Sequence, residues 1–338
     1  MALEPESGFE QIMSMTRGFQ VAKMLMAAVD LGLFDFLEEP KSAVETAAWL
    51  KADPRATGIF MNGLAGLGLL DKDGDRFRNR DLASRYLVRG SENYRGAIVK
   101  HIEHTWERGW NDLKETILVG RPAAVETEKW VDGRPERDEA SVRAFIWGMH
   151  AIARDLAPSV AARLDLTGVR RLLDLGGGPA TYAITFAQAN PELQATVFDL
   201  PMPIEIAREN ITKNGLTDRV GALAGNFLKD DIGTGYDFIW ISQILHSHDE
   251  AQCKLIIAKA VAALNPGGSL AIQDFFLNAD GASPTGSAMF GVHMLAVTPR
   301  GRAYTFVEVG EWMQAAGLTP PEFIQSGMDA SILLAKKN

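Results

Sequence analysis

The chain has little cysteine, fewer basic than acidic residues and no long apolar run, and each of these scarcities excludes a class of protein. Its 338 residues include a single cysteine, Cys253, so no disulfide can form within the chain. Lysine and arginine number 34 against 43 aspartate and glutamate, and the net charge of −9 disfavours binding to nucleic-acid phosphates or anionic lipid. No apolar run reaches ~18 residues, the length that a membrane-spanning helix needs. We therefore expect a small-molecule enzyme with no nucleic-acid partner and no membrane partner.

The beginning of the chain also lacks a recognisable export signal. Residues 1–7 show no succession of basic, apolar and small residues. Together with the scarcity of cysteine, this predicts a cytoplasmic location.

The first hundred residues have the pattern of a winged helix. Apolar residues recur at helical spacing from residue 9 to about 37, and two shorter helical segments follow at residues 43–51 and 55–70. Asp73-Gly74 is then a hairpin turn signal. Three helices followed by a hairpin predict a winged-helix domain over residues 1–98.

A winged helix often binds DNA, so a regulator with a ligand-sensing domain is an alternative. A recognition helix needs basic or amide side chains, whereas residues 54–70 offer Arg55 and Asn62 among mostly apolar or small residues. Such a helix is better suited to burial against a second subunit, which favours a homodimer.

The remainder of the chain, residues 99–338, reads as a helical connector followed by an α/β domain. Residues 96–165 have helical patterns, and after Arg170 short apolar runs alternate with helical segments. This alternation predicts a Rossmann-like, doubly wound parallel sheet. The predicted strands are residues 171–175, 194–199, 220–224, 236–241 and 269–274, with a closing pair at 323–325 and 331–335. Asn265 to Gly268 should end the helix before the fifth strand.

The first strand of this domain runs into a glycine-rich loop. Asp174 precedes Gly176, Gly177 and Gly178, and a second acid, Asp199, follows 21 residues after the last glycine. An acid in that position is suited to the hydroxyls of a ribose. A dinucleotide fingerprint would require a third glycine at Thr181, and Asp174 suits a cofactor whose amino-acid end carries an ammonium. We therefore predict S-adenosylmethionine as the cofactor, not NAD.

A candidate base follows the fourth strand. Ser247 and Glu250 have capping-box spacing, so a helix should begin there and leave His246 on the turn at the carboxyl edge of the sheet. Asp274 ends the next strand, where its carboxylate could orient the imidazole. The acidic and histidine residues near positions 246–249 and 101–104 lack zinc-ligand spacing, and we predict no metal.

Several motifs occur in an order that is typical of one family. They are the Leu-Asp run before three glycines, Phe198-Asp199-Leu200-Pro201, Gly225-Asn226-Phe227, His246 with Cys253 seven residues on, and Pro266-Gly267-Gly268. The chain resembles the S-adenosylmethionine-dependent O-methyltransferases typified by plant caffeate and flavonoid, acetylserotonin and bacterial pigment and antibiotic enzymes. The resemblance covers nearly the whole chain and implies an intertwined dimer.

The resemblance also implies residue roles in binding the cofactor. Gly176 and its neighbours would pass beneath the methionine moiety, and Asp199 would bind the ribose hydroxyls. Leu200, Asn226 and Phe227 would surround the adenine, with Asn226 standing where the family usually has Asp. Ser242 stands where plant members carry Lys.

His246 matches the catalytic base of the family, and Asp274 matches a Glu that positions it. A second family Glu is replaced by Ala303. This departure predicts either an acceptor more acidic than a simple phenol or a base oriented in another way. It also predicts that Ala303→Glu favours weakly acidic phenols. The alternative is a relative that binds the cofactor but hydroxylates or decarboxylates its substrate instead.

Aromatic and methionine residues in the connector and after the fifth strand are typical of core packing. Because residues 278–302 form a Gly/Ala/Pro-interrupted segment after the catalytic strand, we expect some of them to line an apolar pocket for a small-molecule acceptor. The candidates are Phe145, Met149, Met289, Phe290, His293 and Met294.

Overall fold

The computed structural model describes residues 8–122, 130–131, 134–135, 139–327 and 330–338. The chain divides into two compact units, one ending at His104 and the other beginning at Thr105. The elements of the first unit are α1 (Phe9–Asp30), α2 (Leu33–Phe36), β1 (Lys41–Ser42), α3 (Ala43–Leu50), α4 (Pro54–Gly66), β2 (Leu70–Asp73), β3 (Arg76–Asn79), α5 (Asp81–Leu87) and α6 (Gly96–Arg108), the last of which spans the division. The predicted domain boundary after residue 98 also falls inside α6 and stays a prediction.

Local sequence signals explain where the first unit's elements begin. Ser42 and Glu45 form a capping box at the start of α3, and Asp53 accepts the N–H of Ala56 at the start of α4. Gly74, with φ of +57°, makes the turn of the predicted hairpin between β2 and β3. In the small sheet, β3 lies between β1 and β2. The short three-stranded sheet and the helices before it are the expected winged helix.

The second unit contains the predicted α/β domain. After a short 3₁₀ turn at Trp110–Asp112, its elements are α7 (Leu113–Val119), β4 (Trp130–Val131), β5 (Arg134–Pro135), α8 (Glu139–Ala161), β6 (Arg171–Leu175), α9 (Thr181–Ala189), β7 (Gln194–Asp199), α10 (Pro201–Lys213), β8 (Val220–Ala224), β9 (Tyr236–Ser242), α11 (Glu250–Ala263), β10 (Leu264–Asp274), α12 (Thr285–Val297), α13 (Phe306–Ala315), β11 (Glu322–Gly327) and β12 (Ala330–Lys336).

A seven-stranded sheet has the order β11-β12-β10-β9-β6-β7-β8. The five strands from β10 to β8 are parallel, and β12 joins β10 and β11 antiparallel. The doubly wound sheet and its closing pair are therefore confirmed. The chain moves outward from β6 through β7 to β8 and then crosses to β9, which creates a crevice at the carboxyl ends of β6 and β9.

Two local expectations need correction. The capping box before α11 uses Asp249 and Gln252 instead of Ser247 and Glu250, because the side chain of Asp249 accepts the N–H of Gln252 at 2.9 Å. The Asn265 to Gly268 segment also lies within β10, since α11 has already ended at Ala263.

The connector is not wholly helical, since β4 and β5 form a small antiparallel pair that the sequence pattern does not predict. Among the described residues, no helix is both long enough and apolar enough to cross a membrane.

Candidate active site

Four predicted site residues lie near the carboxyl ends of neighbouring strands. Asp174 is the penultimate residue of β6, and Asp199, Ser242 and Asp274 end β7, β9 and β10. Because these strands are parallel, their ends meet at one edge of the sheet. The fold therefore brings together residues that are up to a hundred positions apart.

The glycine loop lies too close to its neighbours for side chains at two positions. Gly176 has φ of +76°, and a Cβ there would lie 2.4 Å from Cδ1 of Ile244. A Cβ on Gly177 would lie 2.5 Å from Cγ of Asp174. The missing side chains let the loop backbone turn tightly over the carboxyl group of Asp174.

Asp174 is a buried acid with one oxygen available. Its Oδ2 accepts the N–H of Ala183 at 3.2 Å, while Oδ1 has no hydrogen-bond partner among the residues that the structure describes. Burial raises the pKa of Asp174 to about 7, an effect that the Ala183 hydrogen bond opposes and the charge of Asp199 reinforces. The unpartnered oxygen fits a cationic donor such as the ammonium of S-adenosylmethionine.

Asp199 connects the glycine loop to the end of β7. Its Oδ2 accepts the N–H of Gly178 at 2.9 Å, and its Oδ1 accepts the N–H of Leu200 at 2.7 Å. These bonds hold the carboxylate beside the loop, a position consistent with binding a ribose diol. Leu200 follows directly and is half-buried.

The segment after β8 contains the predicted adenine contacts. Asn226 Oδ1 accepts the N–H of Leu228 at 2.9 Å, so this amide caps its own turn. Phe227 is buried, with its ring edge-on to His248 at a centroid distance of 5.6 Å. Gly225 lies against Phe198, because a Cβ there would meet the ring at 2.4 Å.

Ser242 belongs to a polar network that the sequence analysis missed. Its hydroxyl and that of Tyr182 both donate to Oε1 of Gln273, at 2.9 and 2.8 Å, and Nε2 of Gln273 donates to Ser326. Gln273 is almost fully buried. Its place in a strand that ends at a catalytic candidate was the available signal, but its partners come from three other elements.

His246 and Asp274 form a close pair. His246 lies on a 3₁₀ turn, Leu245–Ser247, and its Nδ1 is 2.6 Å from Oδ1 of Asp274. The carboxylate also accepts the backbone N–H groups of His246 and Phe275, at 3.3 and 2.8 Å. Since a carboxylate only accepts, the imidazole proton lies on Nδ1 and Nε2 carries a lone pair.

The turn that carries His246 begins with an unusual backbone conformation. Gln243 has φ of +56°, and its N–H donates to the carbonyl of Gln273 at 2.8 Å. This left-handed residue redirects the chain directly after β9. No sequence signal marked Gln243, because glutamine rarely adopts this conformation.

Aromatic rings lie next to the imidazole of His246. Phe290 from α12 is edge-on to His246 at a centroid distance of 4.8 Å, and it also contacts Phe275 at 4.2 Å. His293, one turn further along α12, lies 5.9 Å from Phe290 and stacks on Trp110. The sequence analysis did not identify Trp110 as a neighbour of His293.

The other predicted pocket residues differ in exposure. Met294 is buried, Met289 is 61% exposed, and Phe145 and Met149 lie half-buried on α8. Contacts with the His246 ring involve only Phe290 and Phe275 of the described aromatic residues. The roles of all six predicted pocket residues stay predictions.

Where the family that the chain resembles has a second glutamate, this chain has Ala303, which packs against α12. Ala303 is buried, and a Cβ built on Gly291 would lie 3.4 Å from its Cβ. Gly301 lies against the turn that carries His246, since a Cβ there would be 2.3 Å from the carbonyl oxygen of His246. Within the described ranges, no group of three His, Cys, Asp or Glu residues is arranged to hold a metal ion.

Comparisons with known proteins agree with this architecture. A model of the O-methyltransferase domain matches residues 110–319, and a model of the O-methyltransferase dimerisation domain matches residues 13–89. The 3-hydroxy-5-methyl-1-naphthoate 3-O-methyltransferase of Streptomyces sahachiroi is 32% identical over 305 residues, which cover 89% of this chain and 86% of that protein.

Two further relatives extend over essentially the entire length. The acetylserotonin O-methyltransferase of Bos taurus is 27% identical and is matched over 100% of both chains. A solved O-methyltransferase family protein from Burkholderia thailandensis superposes with a TM-score of 0.88 at 27% identity, covering 98% of this chain and 99% of the other. The chain therefore belongs to the S-adenosylmethionine-dependent O-methyltransferase family and carries the dimerisation domain of that family.

Proposed function

We propose that this enzyme methylates the hydroxyl of a small aromatic acceptor and that His246 is the general base. The observation that carries the proposal is the 2.6 Å contact between Nδ1 of His246 and Asp274. It leaves Nε2 with a lone pair, and no described residue bonds that atom. A base needs such an unprotonated nitrogen facing its substrate.

Aromatic surroundings support an aromatic acceptor. Phe275 and Phe290 contact the imidazole and His293 contacts Phe290, and a flat ring could pack edge-on or offset against such aromatic groups. The relatives' names also point this way, since one acts on a hydroxynaphthoate and another on acetylserotonin. Methyl transfer is thereby favoured over the hydroxylase, decarboxylase and DNA-binding alternatives.

The cofactor would be held by the predicted residues at the carboxyl edge of the sheet. The unpartnered oxygen of Asp174 supports a contact with the ammonium, and the position of Asp199 supports one with the ribose hydroxyls. Leu200, Asn226, Phe227 and Ser242 would complete the site. When bound, S-adenosylmethionine supplies the activated methyl group.

The protein's own chemistry is then one proton transfer. Nε2 of His246 takes the proton of the acceptor hydroxyl, and the imidazolium that results is stabilised by Asp274 through Nδ1–H. General-base assistance of this kind contributes ~10²–10⁴-fold to the rate. The remaining contribution is orientation of the acceptor oxygen.

His246→Ala tests the base. We expect turnover to fall by ~10²–10⁴-fold, with the affinity for S-adenosylhomocysteine unchanged in calorimetry. Asp274→Asn should reduce turnover less, because the base itself remains. The asparagine amide would face the three N–H donors of Asp274 with either its NH₂ group or an oxygen that is out of line with them. A His246→Ala enzyme with wild-type turnover on its best acceptor would contradict the assignment.

Asp199→Ala tests the cofactor site independently of the acceptor. Loss of the charged acceptor should weaken S-adenosylhomocysteine binding by ~1.5–3 kcal/mol, as measured by calorimetry. Asp199→Asn is the matched control, because it keeps one oxygen for the N–H of Gly178 or Leu200. Unchanged affinity in the alanine variant would place the ribose elsewhere.

We also infer a cytoplasmic location. The single thiol, Cys253, is buried, and burial raises its pKa to about 12, which keeps it protonated and unreactive. With no disulfide possible within the chain, an oxidising compartment would not stabilise it. Cell fractionation followed by immunoblotting tests the location.

A further inference from the structure

A second histidine beside the proposed base is held in a defined protonation state. Trp110, on the 3₁₀ turn before α7, donates its indole Nε1–H to Nδ1 of His293 on α12 at 3.0 Å. The two rings also stack, with centroids 6.2 Å apart and planes inclined by 21°. An indole nitrogen can only donate, so Nδ1 of His293 must accept and its proton lies on Nε2.

The electrostatic environment keeps His293 neutral. Burial lowers the pKa of its imidazole, and the charge that His246 can acquire lowers it further. Protonation at Nδ1 would also break the bond from Trp110. At neutral pH the side chain is therefore a hydrogen-bond donor at Nε2 and is not a second base there.

His246 has the opposite arrangement. Its Nδ1–H donates to Asp274 and its Nε2 accepts. Phe290 contacts both imidazoles, at centroid distances of 4.8 and 5.9 Å. Neither Nε2 atom has a partner among the described residues. Phe290 thus contacts one histidine whose Nε2 accepts and one histidine whose Nε2 donates.

We propose that Nε2–H of His293 binds an oxygen of the acceptor other than the hydroxyl that is methylated, and that Trp110 is the positioning residue that fixes this donor. The proposal rests on His246 being the base. It identifies the preferred substrates as aromatic alcohols that bear a carbonyl or carboxylate oxygen on the same ring system. An acceptor without that oxygen would leave the donor desolvated and unpaired, which disfavours its binding.

A matched pair of ligands tests the proposal by binding alone. 3-Hydroxy-1-naphthoate and 2-naphthol share the ring and the position of the hydroxyl, and they differ only in the carboxylate. Each is titrated calorimetrically into protein saturated with S-adenosylhomocysteine. We expect the naphthoate to bind about 10- to 100-fold more tightly, the scale of a hydrogen bond to a charged group.

Variants of His293 assign that preference to its side chain. His293→Met removes the donor and should bring the affinity ratio close to one, whereas His293→Gln keeps an N–H donor and should retain part of it. Both must bind S-adenosylhomocysteine as the wild type does. Failure of the wild type to bind or prefer the naphthoate, or a ratio that survives in His293→Met, would overturn the proposal.

Trp110 has its own spectroscopic test, which needs no acceptor. Nitrogen NMR of the histidine side chains should show His293 as the neutral Nε2–H tautomer in the wild type. In Trp110→Phe, which keeps an aromatic ring but loses the donor, the signal should shift towards a tautomer mixture and the naphthoate preference should fall. A wild-type His293 that is protonated on Nδ1 would contradict the proposed role.

The result is separable from failure of the proposed base. If His246→Ala retained turnover while the naphthoate preference still depended on His293, the base assignment alone would be wrong. If His246→Ala lost turnover while the preference was absent, only the donor role of His293 would be wrong.

Discussion

At the residue scale, the buried carboxyl group of Asp174 couples the stability of the fold to pH. Burial raises its pKa from 3.8 to about 7. Between about pH 4 and about pH 7, Asp174 therefore keeps a proton in the folded chain that it has released in the unfolded chain. The resulting stabilisation is complete below about pH 4 and is lost as the pH rises through about 7.

Cofactor binding should show the opposite trend. An ammonium is paired best by ionised Asp174, so affinity for S-adenosylhomocysteine should rise between about pH 6 and pH 8. Calorimetry at several pH values measures this, and titrations in buffers of different ionisation enthalpy detect the released proton. Asp174→Asn retains every histidine but cannot ionise, so its affinity should be weaker and nearly flat with pH. Equal pH dependence in both proteins would exclude Asp174 as the titrating group.

At the scale of elements, the segment after α12 packs directly against the turn that carries His246. A Cβ on Gly291 would lie in ordinary van der Waals contact with Ala303 at 3.4 Å, whereas a Cβ on Gly301 would lie only 2.3 Å from the carbonyl oxygen of His246. Where the family that the chain resembles has a second carboxylate, this chain therefore has backbone lying close to the turn of His246. Restoring that carboxylate has a steric cost that the sequence does not reveal.

Ala303→Glu should consequently destabilise the enzyme instead of improving it on weakly acidic phenols. Overpacking costs about 1–3 kcal/mol, and a buried unpaired carboxylate adds to this. Thermal unfolding should show a lower Tm, while Ala303→Ser, which adds a single oxygen atom, should change little. A Glu variant with unchanged Tm and higher turnover on simple phenols would show that α12 has room to adjust.

At the scale of the whole molecule, the first helix of the dimerisation domain carries several large exposed apolar residues. Phe9, Ile12, Met15 and Phe19 on α1 are 75%, 56%, 68% and 51% exposed in the single chain. Apolar side chains repeated along a helix favour burial against another surface. A second copy is the partner expected of this domain.

Light scattering should therefore give twice 36.8 kDa. The double variant Met15→Glu/Phe19→Glu should weaken the dimer, because it places charges on the exposed apolar residues of α1. Gln11→Glu/Gln20→Glu adds the same charge to the same helix at exposed polar positions and should remain dimeric. If both variants had the mass of a dimer, this part of α1 would be excluded from the interface.

Much of the architecture follows from local sequence. Apolar runs of β-strand length, the Asp73-Gly74 turn and the glycine loop after Asp174 are short-range signals, and each gives its element with little help from the remainder of the chain. The order of acidic residues after successive strands also predicts that Asp199 and Asp274 lie at one edge. This works because parallel strands place their carboxyl ends together.

Tertiary structure alone decided the features that depend on distant partners. Gln273 gains its function in the network from Tyr182 and Ser326, and His293 gains its tautomer from Trp110, 183 positions away. The contact of Ala303 with Gly291 likewise joins two segments that meet only in the folded chain. Local patterns report the propensity of a segment, whereas hydrogen-bond direction, burial and steric room are properties of groups that meet only after the chain has folded.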